Sequence, residues 1–215
     1  IGYVVQAIVN NFVPLLFLTF QSTYKIPLSQ ITMLITVNFL VQLTIDLLCT
    51  GFVDKIGYRA SIIAAHVFSG AGLVLLTFLP DILGPFPGIL TAVCIYAVGG
   101  GLIEVLVSPI VEATPSDNKE KAMSLLHSFY CWGSVGVVLI STLFFRLFGT
   151  THWKILAIAW AVIPAANILL FVSAPIASLT SEEDSGMSLK ELFSQKIFWP
   201  LLLMMVCAGA SEQSV

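Results

Sequence analysis

The chain has 215 residues, of which 58% are hydrophobic and 10% are charged, and its formal net charge is −3. Soluble domains carry charge on roughly a quarter of their residues. Nine basic and twelve acidic residues cannot cover an apolar core of this size with a polar surface. The composition therefore excludes an ordinary soluble protein and predicts a membrane protein. No segment is basic enough to suggest a nucleic-acid partner.

Long apolar runs occur six times along the chain. A helix needs about 20 apolar residues to cross ~30 Å of hydrocarbon, because lipid offers the backbone no hydrogen-bond partners. The predicted spans are 1–20, 31–50, 60–80, 88–111, 123–146 and 154–174, with a seventh starting near Trp199. The chain starts without Met, inside its first span, and ends inside its last, so it is interpreted as a fragment of an all-α membrane protein.

The first span carries three amide side chains close to a proline. Gln6 and Asn10 are four residues apart, and Asn11 follows, just before Pro14. A proline frees a backbone carbonyl of its helix, and transporters build sites at mid-membrane on such interrupted helices. We therefore predict that the three amides contribute to a substrate site, with Gln6 and Asn10 bonding solute hydroxyls.

The second span has a polar stripe. Asn38, Gln42 and Asp46 recur every four residues and so share one helix face. Such a stripe either lines an aqueous pathway or bonds to a facing helix, and the sequence leaves both open. We predict that Asn38 and Gln42 bind the solute, and that Asp46 takes part in proton coupling or gating.

An island of charge, "GFVDKIGYRAS" at residues 51–61, separates the second and third spans. We expect Gly51 to allow a tight exit from the second span, Gly57 to close the turn, and Arg59 to place a cation at the start of the third span. Asp54 can cap or pair with a neighbouring helix end. The island is predicted to latch two bundles on the cytoplasmic side; the alternative is a positive loop with an incidental Asp. The predicted latch residues are Gly51, Asp54, Lys55, Gly57 and Arg59.

The fourth span contains a carboxyl group, Glu104, five residues before Pro109. A charged carboxylate near the bilayer centre costs about 2.5–3.5 kcal/mol or more, so Glu104 should face a cavity or take up a proton. Pro14 in the first span and Pro109 in the fourth suggest an internal repeat of three helices in which the first helix of each repeat is interrupted. We predict that Glu104 carries a proton or contacts the solute; the alternative is a structural Glu bonded to a neighbouring helix.

The fifth span offers two aromatic residues, Tyr130 and Trp132, as an apolar or stacking wall for the solute. His66 and His127 are interpreted as helix-packing donors, with proton relays as the alternative. The cysteines form no CxxC pair, and no HExxH motif or nucleophile with a base is present. We therefore predict no metal site, no cofactor and no enzymatic activity.

A polar stretch at 175–198 interrupts the hydrophobicity and is predicted to be a linker. Ser188 and Glu191 have capping-box spacing, and apolar residues then recur at helical spacing, which predicts a short amphipathic helix. The domain plan is a six-helix bundle at 1–174, the linker at 175–198, and the truncated first helix of a second bundle at 199–215.

The distribution of Lys and Arg predicts the orientation, because positive charge is retained on the cytoplasmic side. With the first span running outwards, six basic residues lie in inner loops and three in outer loops. The linker and the loops after spans two and four are then cytoplasmic. The inner residues are Lys55, Arg59, Lys119, Lys121, Lys190 and Lys196; the outer ones are Lys25, Arg146 and Lys154.

The charged island resembles the loop between helices two and three of the major facilitator superfamily, through Gly51, Asp54, Lys55, Gly57 and Arg59, with Tyr58 in place of a usual basic residue. The resemblance implies an N-terminal bundle of 3+3 inverted repeats and transport of a small solute by alternating access. A polyspecific exporter of the same superfamily and a non-transporting receptor or scaffold are the alternatives.

Residues 99–136 also resemble the fucose permease group of sugar:proton symporters. The resemblance rests on a Glu five residues before a Pro, a charged loop and a glycine-containing fifth helix, here Glu104, Pro109, Lys119, Lys121, Gly133 and Gly136. It implies a sugar as solute, protons as coupling partner, a plasma-membrane location, and a monomer once the second bundle is present.

Overall fold

The computed structural model describes residues 2–115, 117–174, 176 and 189–213, and these residues form helices and short connections without strands. Contacts divide the chain into two units, Ile1–Leu179 and Thr180–Val215. The helices are α1 (Gly2–Asn11), α2 (Phe17–Tyr24), α3 (Leu28–Ile56), α4 (Tyr58–Leu75), α5 (Leu79–Ile82), α6 (Pro85–Ala113), α7 (Lys119–Phe148), α8 (Trp153–Ser173), α9 (Leu189–Ser194) and α10 (Phe198–Gln213), with 3₁₀ turns at Pro14–Leu16 and Thr150–His152.

Six stretches of the described chain are long and apolar enough to cross a membrane, which confirms the predicted all-α membrane fold. Several boundaries differ from the prediction. Most helices continue beyond the predicted apolar runs, whereas the third span ends earlier, at Leu75, and Pro80 of the predicted span lies in the separate short helix α5. The observed stretches are Gly2–Tyr24, Leu28–Cys49, Tyr58–Leu75, Pro85–Ala113, Lys119–Phe148 and Thr150–Ser173.

Helix α6 lies at the centre of the first unit. It packs against α1, α3 and α4, while α7 packs mainly on α1 and α8 on α4. Three consecutive glycines of α6 make the close approaches. A methyl group at Gly99 would clash with Ser69 on α4, one at Gly100 would lie 3.0 Å from Val9 Cγ1 on α1, and one at Gly101 would lie 2.9 Å from the Gln42 carbonyl oxygen on α3.

Two apolar clusters form the core of the bundle, one towards each end. One joins the start of α1 to the ends of α3 and α6, and the other joins α2 to the starts of α6 and α8. Large apolar side chains on the outer faces of α3, α7 and α8 are exposed, for example Leu47, Leu139 and Leu169. In a bilayer these outer faces would contact lipid.

The helix of the first span is interrupted, as predicted from Pro14. α1 ends at Asn11, a 3₁₀ turn follows at Pro14–Leu16, and α2 begins at Phe17. The fourth span shows no such interruption, so the prediction of an interrupted helix in each repeat is wrong for this span. Pro109 lies inside α6, which continues to Ala113, and the neighbouring Leu106 and Val107 are buried in the core. A proline removes one helical hydrogen bond, and the packed segment stays helical without it.

The charged island is organised differently from the prediction. The chain makes no tight turn at Gly51, because α3 continues through it to Ile56. The turn is made at Gly57, whose φ of 92° is accessible mainly to glycine. Arg59 lies in the first turn of α4, as predicted. Its Nη1 donates to the carbonyl oxygens of Phe171 (3.2 Å) and Val172 (2.7 Å) at the end of α8. The side chain of Asp54 lies outside the described residues.

His66 on α4 is buried and acts as a packing residue. Its ring Nδ1 lies 2.7 Å from the Ile62 carbonyl oxygen, and its Nε2 lies 3.2 Å from Asn167 Nδ2 on α8. Because a carbonyl can only accept, Nδ1 carries the proton and Nε2 accepts from Asn167. The pair joins α4 to α8.

The second unit contains α9 and α10. Where the amphipathic helix is predicted, the structure has the six-residue helix α9, which ends at Ser194, while Ser188 of the proposed capping box lies outside the described residues. α10 begins at Phe198, next to the predicted start at Trp199. Trp199 Nε1 donates to the Phe193 carbonyl oxygen at 3.2 Å, and the rings of Phe193, Phe198 and Trp199 contact one another.

Candidate functional site: a polar network on four helices

A continuous network of polar side chains connects α1, α3, α6 and α7. Gln6 on α1 donates from Nε2 to Gln42 Oε1 on α3 at 3.1 Å and to Glu104 Oε2 on α6 at 3.3 Å. Gln42 Nε2 donates to Asn10 Oδ1 at 2.9 Å, and Asn10 Nδ2 lies 3.5 Å from the Tyr130 hydroxyl on α7. Five residues predicted for the site therefore meet in one place.

Two further residues of α1, Asn11 and Tyr3, extend the network along this helix. Asn11 Nδ2 donates to Ser134 Oγ on α7 at 3.2 Å and to the Ala7 carbonyl oxygen at 2.8 Å. The Tyr3 hydroxyl lies 2.8 Å from Ser108 Oγ on α6. α1 thus presents polar groups to α3, α6 and α7 along its length, and the network lies inside the first unit.

Burial within the network is graded. Gln6 and Gln42 are each 3% exposed, Asn10 and Tyr130 are half-buried, and Glu104 is exposed. The carboxylate therefore lies on the open side of the network, and the amides behind it lie in the bundle interior.

Asp46 approaches the same place from α3. It is close enough to Glu104 for the two carboxyl groups to interact electrostatically, and they repel each other when both are ionised. In the described part of the chain, Asp46 Oδ1, Asn38 Oδ1 and Gln6 Oε1 are buried atoms without a hydrogen-bond partner. All three atoms are hydrogen-bond acceptors when Asp46 is ionised.

Asn38 shares the polar face of α3, as predicted, and is buried. It lies one turn from Gln42 and lines a cavity of about 20 Å³ together with Asn10, Pro14 and Tyr96. A volume of this size is close to the minimum needed for one water molecule. Gln42 bonds Gln6 and Asn10 on the facing helix α1. Of the two roles left open for the polar stripe, the structure therefore favours contact between helices for Gln42.

Trp132 is not brought into the network. Two helical positions separate it from Tyr130, so the two side chains point roughly 200° apart around α7. Trp132 is 73% exposed, whereas Tyr130 contacts Asn10 and packs edge-on to Tyr3, with ring centroids 6.2 Å apart. The predicted shared aromatic wall is therefore wrong for Trp132.

Sequence reasoning missed two members of the network. Tyr3 lies three residues before Gln6 and therefore on the same helix face as Gln6 and Asn10. Ser134 lies four residues after Tyr130, which also places it on the same face. Helical spacing from the amides already identified would have indicated both. His127, interpreted as a packing residue, lies against Tyr3 with ring centroids 5.7 Å apart.

The described residues contain no group of three or more His, Cys, Asp or Glu side chains that could hold a metal ion. The donor set of the network consists of amides, hydroxyls and two carboxylates. Such a set can bind polar groups of a solute, or bind and release a proton.

Comparison with known proteins extends over nearly the whole chain. The sequence model of the Major Facilitator Superfamily matches residues 1–214. Searches of curated proteins and of solved structures found no match, so the narrower resemblance to the fucose permease group is not supported. The match, together with six apolar helices around an intramembrane polar network, shows a multi-pass membrane transporter: the chain belongs to the major facilitator superfamily.

Proposed function

We propose that the protein moves a small polar solute, most simply a sugar, across the membrane by alternating access and couples this movement to protons. The observation that carries the proposal is the position of Glu104. Its carboxyl group lies on the open side of a membrane bundle, accepts from Gln6, and interacts with a second carboxyl group, Asp46. A group so placed can bind a proton from the aqueous phase and transmit that change to its neighbours.

The solute ligands in this proposal are the side chains at the open edge of the network. Asn10, Asn11 and Tyr130 are half-buried and bear both donors and acceptors. Hydroxyl groups of a sugar also donate and accept, so they complement such a surface. The deeply buried Gln6, Asn38 and Gln42 would support these ligands from behind.

Two alternatives remain as outcomes of experiment. A polyspecific exporter of the same superfamily would use a largely apolar cavity with one acidic group, and the four amides of the network argue against it. A receptor or scaffold without transport needs no carboxyl groups within its spans, so Glu104 and Asp46 argue against it.

The cellular setting is also part of the proposal. We propose a monomeric plasma-membrane protein with the linker and the loops after spans two and four in the cytoplasm. The orientation is supported by the distribution of six inner against three outer basic residues.

The replacement Glu104→Gln tests the proton-coupling role. Gln keeps the size and the hydrogen-bonding capacity of the side chain but cannot take up a proton near neutral pH. In proteoliposomes, a panel of labelled sugars should show uphill accumulation driven by a pH gradient with the original protein. The variant should lose this accumulation while continuing to exchange internal for external sugar without a gradient.

Glu112→Gln is the matched control, because Glu112 is also an exposed carboxylate of α6, two turns after Glu104. It should retain uphill accumulation. Loss of both transport modes in Glu104→Gln would make Glu104 a solute ligand without a coupling role. Normal accumulation by this variant would remove both roles.

A further inference from the structure

The hydrogen bonds from Glu104 to Tyr130 form a chain with a defined direction. An ionised carboxylate can only accept, so Gln6 must present Nε2 to Glu104, and the same Nε2 donates to Gln42 Oε1. Gln42 is then left with Nε2 to donate to Asn10 Oδ1. Asn10 in turn presents Nδ2 to the Tyr130 hydroxyl. The charge state of Glu104 thus sets the orientation of three amides.

In this arrangement Gln6 Oε1 is buried, and no donor among the described residues bonds to it. Protonation would change Glu104 from an acceptor into a possible donor. Gln6 Oε1 can accept the new O–H once the amide has turned over, because Gln6 already contacts Glu104. The terminal torsions of Gln and Asn are broad and roughly two-fold, so an amide can turn over without leaving its rotamer.

We propose that Gln6, Gln42, Asn10 and Tyr130 form a relay that reverses its hydrogen bonds when Glu104 takes up a proton. The proposal rests on the proton-carrying role of Glu104 proposed above, and it assigns the three amides a positioning role. A proton from water binds the Glu104 carboxylate, and no other covalent bond forms or breaks. No proton travels along the chain; only the orientation of the amides and of one hydroxyl changes.

After reversal every link runs the other way. Glu104 donates to Gln6 Oε1, and Gln42 Nε2 donates to the same oxygen. Asn10 Nδ2 donates to Gln42 Oε1, and the Tyr130 hydroxyl donates to Asn10 Oδ1. The relay therefore carries the protonation state of α6 through α1 and α3 to α7.

The consequence falls on Tyr130 at the half-buried edge of the site. With Glu104 ionised, the Tyr130 oxygen accepts from Asn10, and its own hydrogen is available to a solute. With Glu104 protonated, that hydrogen is used by Asn10, and only oxygen lone pairs are available. A solute would thus meet a donor in one state and an acceptor in the other, which links proton binding to solute recognition.

Other titratable groups lie on the long helices packed against α6. Asp46 on α3 interacts with Glu104, Tyr3 on α1 does so as well, and His127 on α7 contacts the Tyr3 ring. On α4, His66 is directed to Ile62 and Asn167. On α6 itself, Glu112 lies two turns away. The experiment must therefore identify the Glu104 signal separately from these groups.

Infrared difference spectroscopy of the full protein between acidic and neutral pH tests the relay without a solute. Protonation of Glu104 should add a carboxyl C=O band that is absent in Glu104→Gln. The ring C–O band of tyrosine differs between a hydroxyl that donates and one that accepts. A shift of this band, assigned by its loss in Tyr130→Phe and by isotopic labelling of tyrosine, should accompany the carboxyl band.

Gln42→Met should break the relay in the middle, because the side chain has similar length but no amide. The Glu104 carboxyl band should remain, and the Tyr130 shift should be lost. Asn10→Leu breaks the next link and should give the same result if Gln42→Met folds poorly. Thr44→Val is the control on the same helix, since the exposed Thr44 hydroxyl bonds only the Leu40 carbonyl oxygen among the described residues. Both bands should persist in it.

The outcomes separate the relay from the function on which it rests. A Tyr130 shift that persists in Gln42→Met and Asn10→Leu would overturn the relay, as would a Glu104 carboxyl band without any Tyr130 shift in the original protein. A missing Glu104 carboxyl band would instead remove the proton-carrying role, and with it the basis of the relay.

Discussion

Single residues determine how closely the helices of this bundle approach each other. Gly72 on α4 faces the backbone of α6 at Tyr96, and a methyl group there would lie 2.5 Å from Tyr96 N and 2.8 Å from its Cα. Gly70, two residues earlier, faces Pro164 on α8, where the same methyl group would be 3.5 Å from Pro164 Cγ, an ordinary contact. The two glycines therefore differ although the sequence presents them alike.

The variants Gly72→Ala and Gly70→Ala should differ in stability. Gly72→Ala forces α4 and α6 apart, and overpacking of this kind costs about 1–3 kcal/mol. Gly70→Ala should be neutral or slightly stabilising, since alanine favours the helix. Thermal unfolding of the purified protein in one detergent would measure both. Equal midpoints for the two variants would contradict the close contact at Gly72.

Individual side chains also show what the sequence could and could not predict about the site. Polar residues such as Gln6, Gln42 and Glu104 stand out in apolar spans because lipid cannot satisfy them, and all three lie in the network. Trp132 was predicted from proximity in sequence to Tyr130, but helical geometry separates the two. Which helix faces which depends on tertiary packing, so the bonding partner of each amide was beyond the sequence.

At the scale of helices and turns, Arg59 ties the start of α4 to the end of α8. The last carbonyls of a helix have no partner within it, and a cation at this end also interacts favourably with the helix dipole. Arg59 supplies both a hydrogen-bond donor and a positive charge through its bonds to Phe171 and Val172. Within the first unit, this residue of the charged island therefore stabilises the bundle to which it belongs.

Arg59→Ala should loosen the last turn of α8. A cation at a helix C-terminus contributes about 0.3–1 kcal/mol, so amide hydrogen exchange in residues 170–174 should accelerate by up to roughly fivefold. Lys55→Ala, an exposed cation near the end of α3, serves as the control and should leave this exchange unchanged. Unchanged exchange in Arg59→Ala would contradict the capping role.

Asp54→Asn separates this capping role from the proposed latch. A latch biases a conformational equilibrium without touching the solute. The variant should therefore slow transport while solute binding and α8 exchange stay near their original values. Weakened binding with an unchanged conformational preference would count against the latch.

The two prolines illustrate why interruptions of helices were only partly predictable. Both Pro14 and Pro109 remove one backbone bond, and only the segment at Pro14 leaves the α-helix, with a 3₁₀ turn at Pro14–Leu16. The residues before Pro109 are locked between α1, α3 and α4 by the glycine contacts of α6. Packing on several sides of a helix determines whether a proline interrupts it, and this packing cannot be predicted from sequence periodicity.

For the whole molecule, the packing determines which helix ends belong together. One apolar cluster joins Tyr3 at the start of α1, Val53 near the end of α3, Ile62 near the start of α4 and Val107 near the end of α6. At the opposite end, Lys154 and Asp81 form an ion pair of 2.6 Å. The spans therefore alternate in direction, as the predicted topology requires.

Which end faces the cytoplasm follows from charge, and it is the subject of the last prediction. The end with the turn at Gly57 and the start of α7 carries Lys55, Arg59, Lys119 and Lys121. Positive charge is retained on the cytoplasmic side, so this end should be cytoplasmic.

Single cysteines introduced by Asp117→Cys and Leu83→Cys, in a background with the four native cysteines replaced, report the two ends. In right-side-out vesicles an impermeant maleimide should label position 83 directly and position 117 only after permeabilisation, because only the outer end is accessible. Transport by each single-cysteine variant serves as the control for folding. Labelling of position 117 in sealed vesicles would reverse the assignment of every loop.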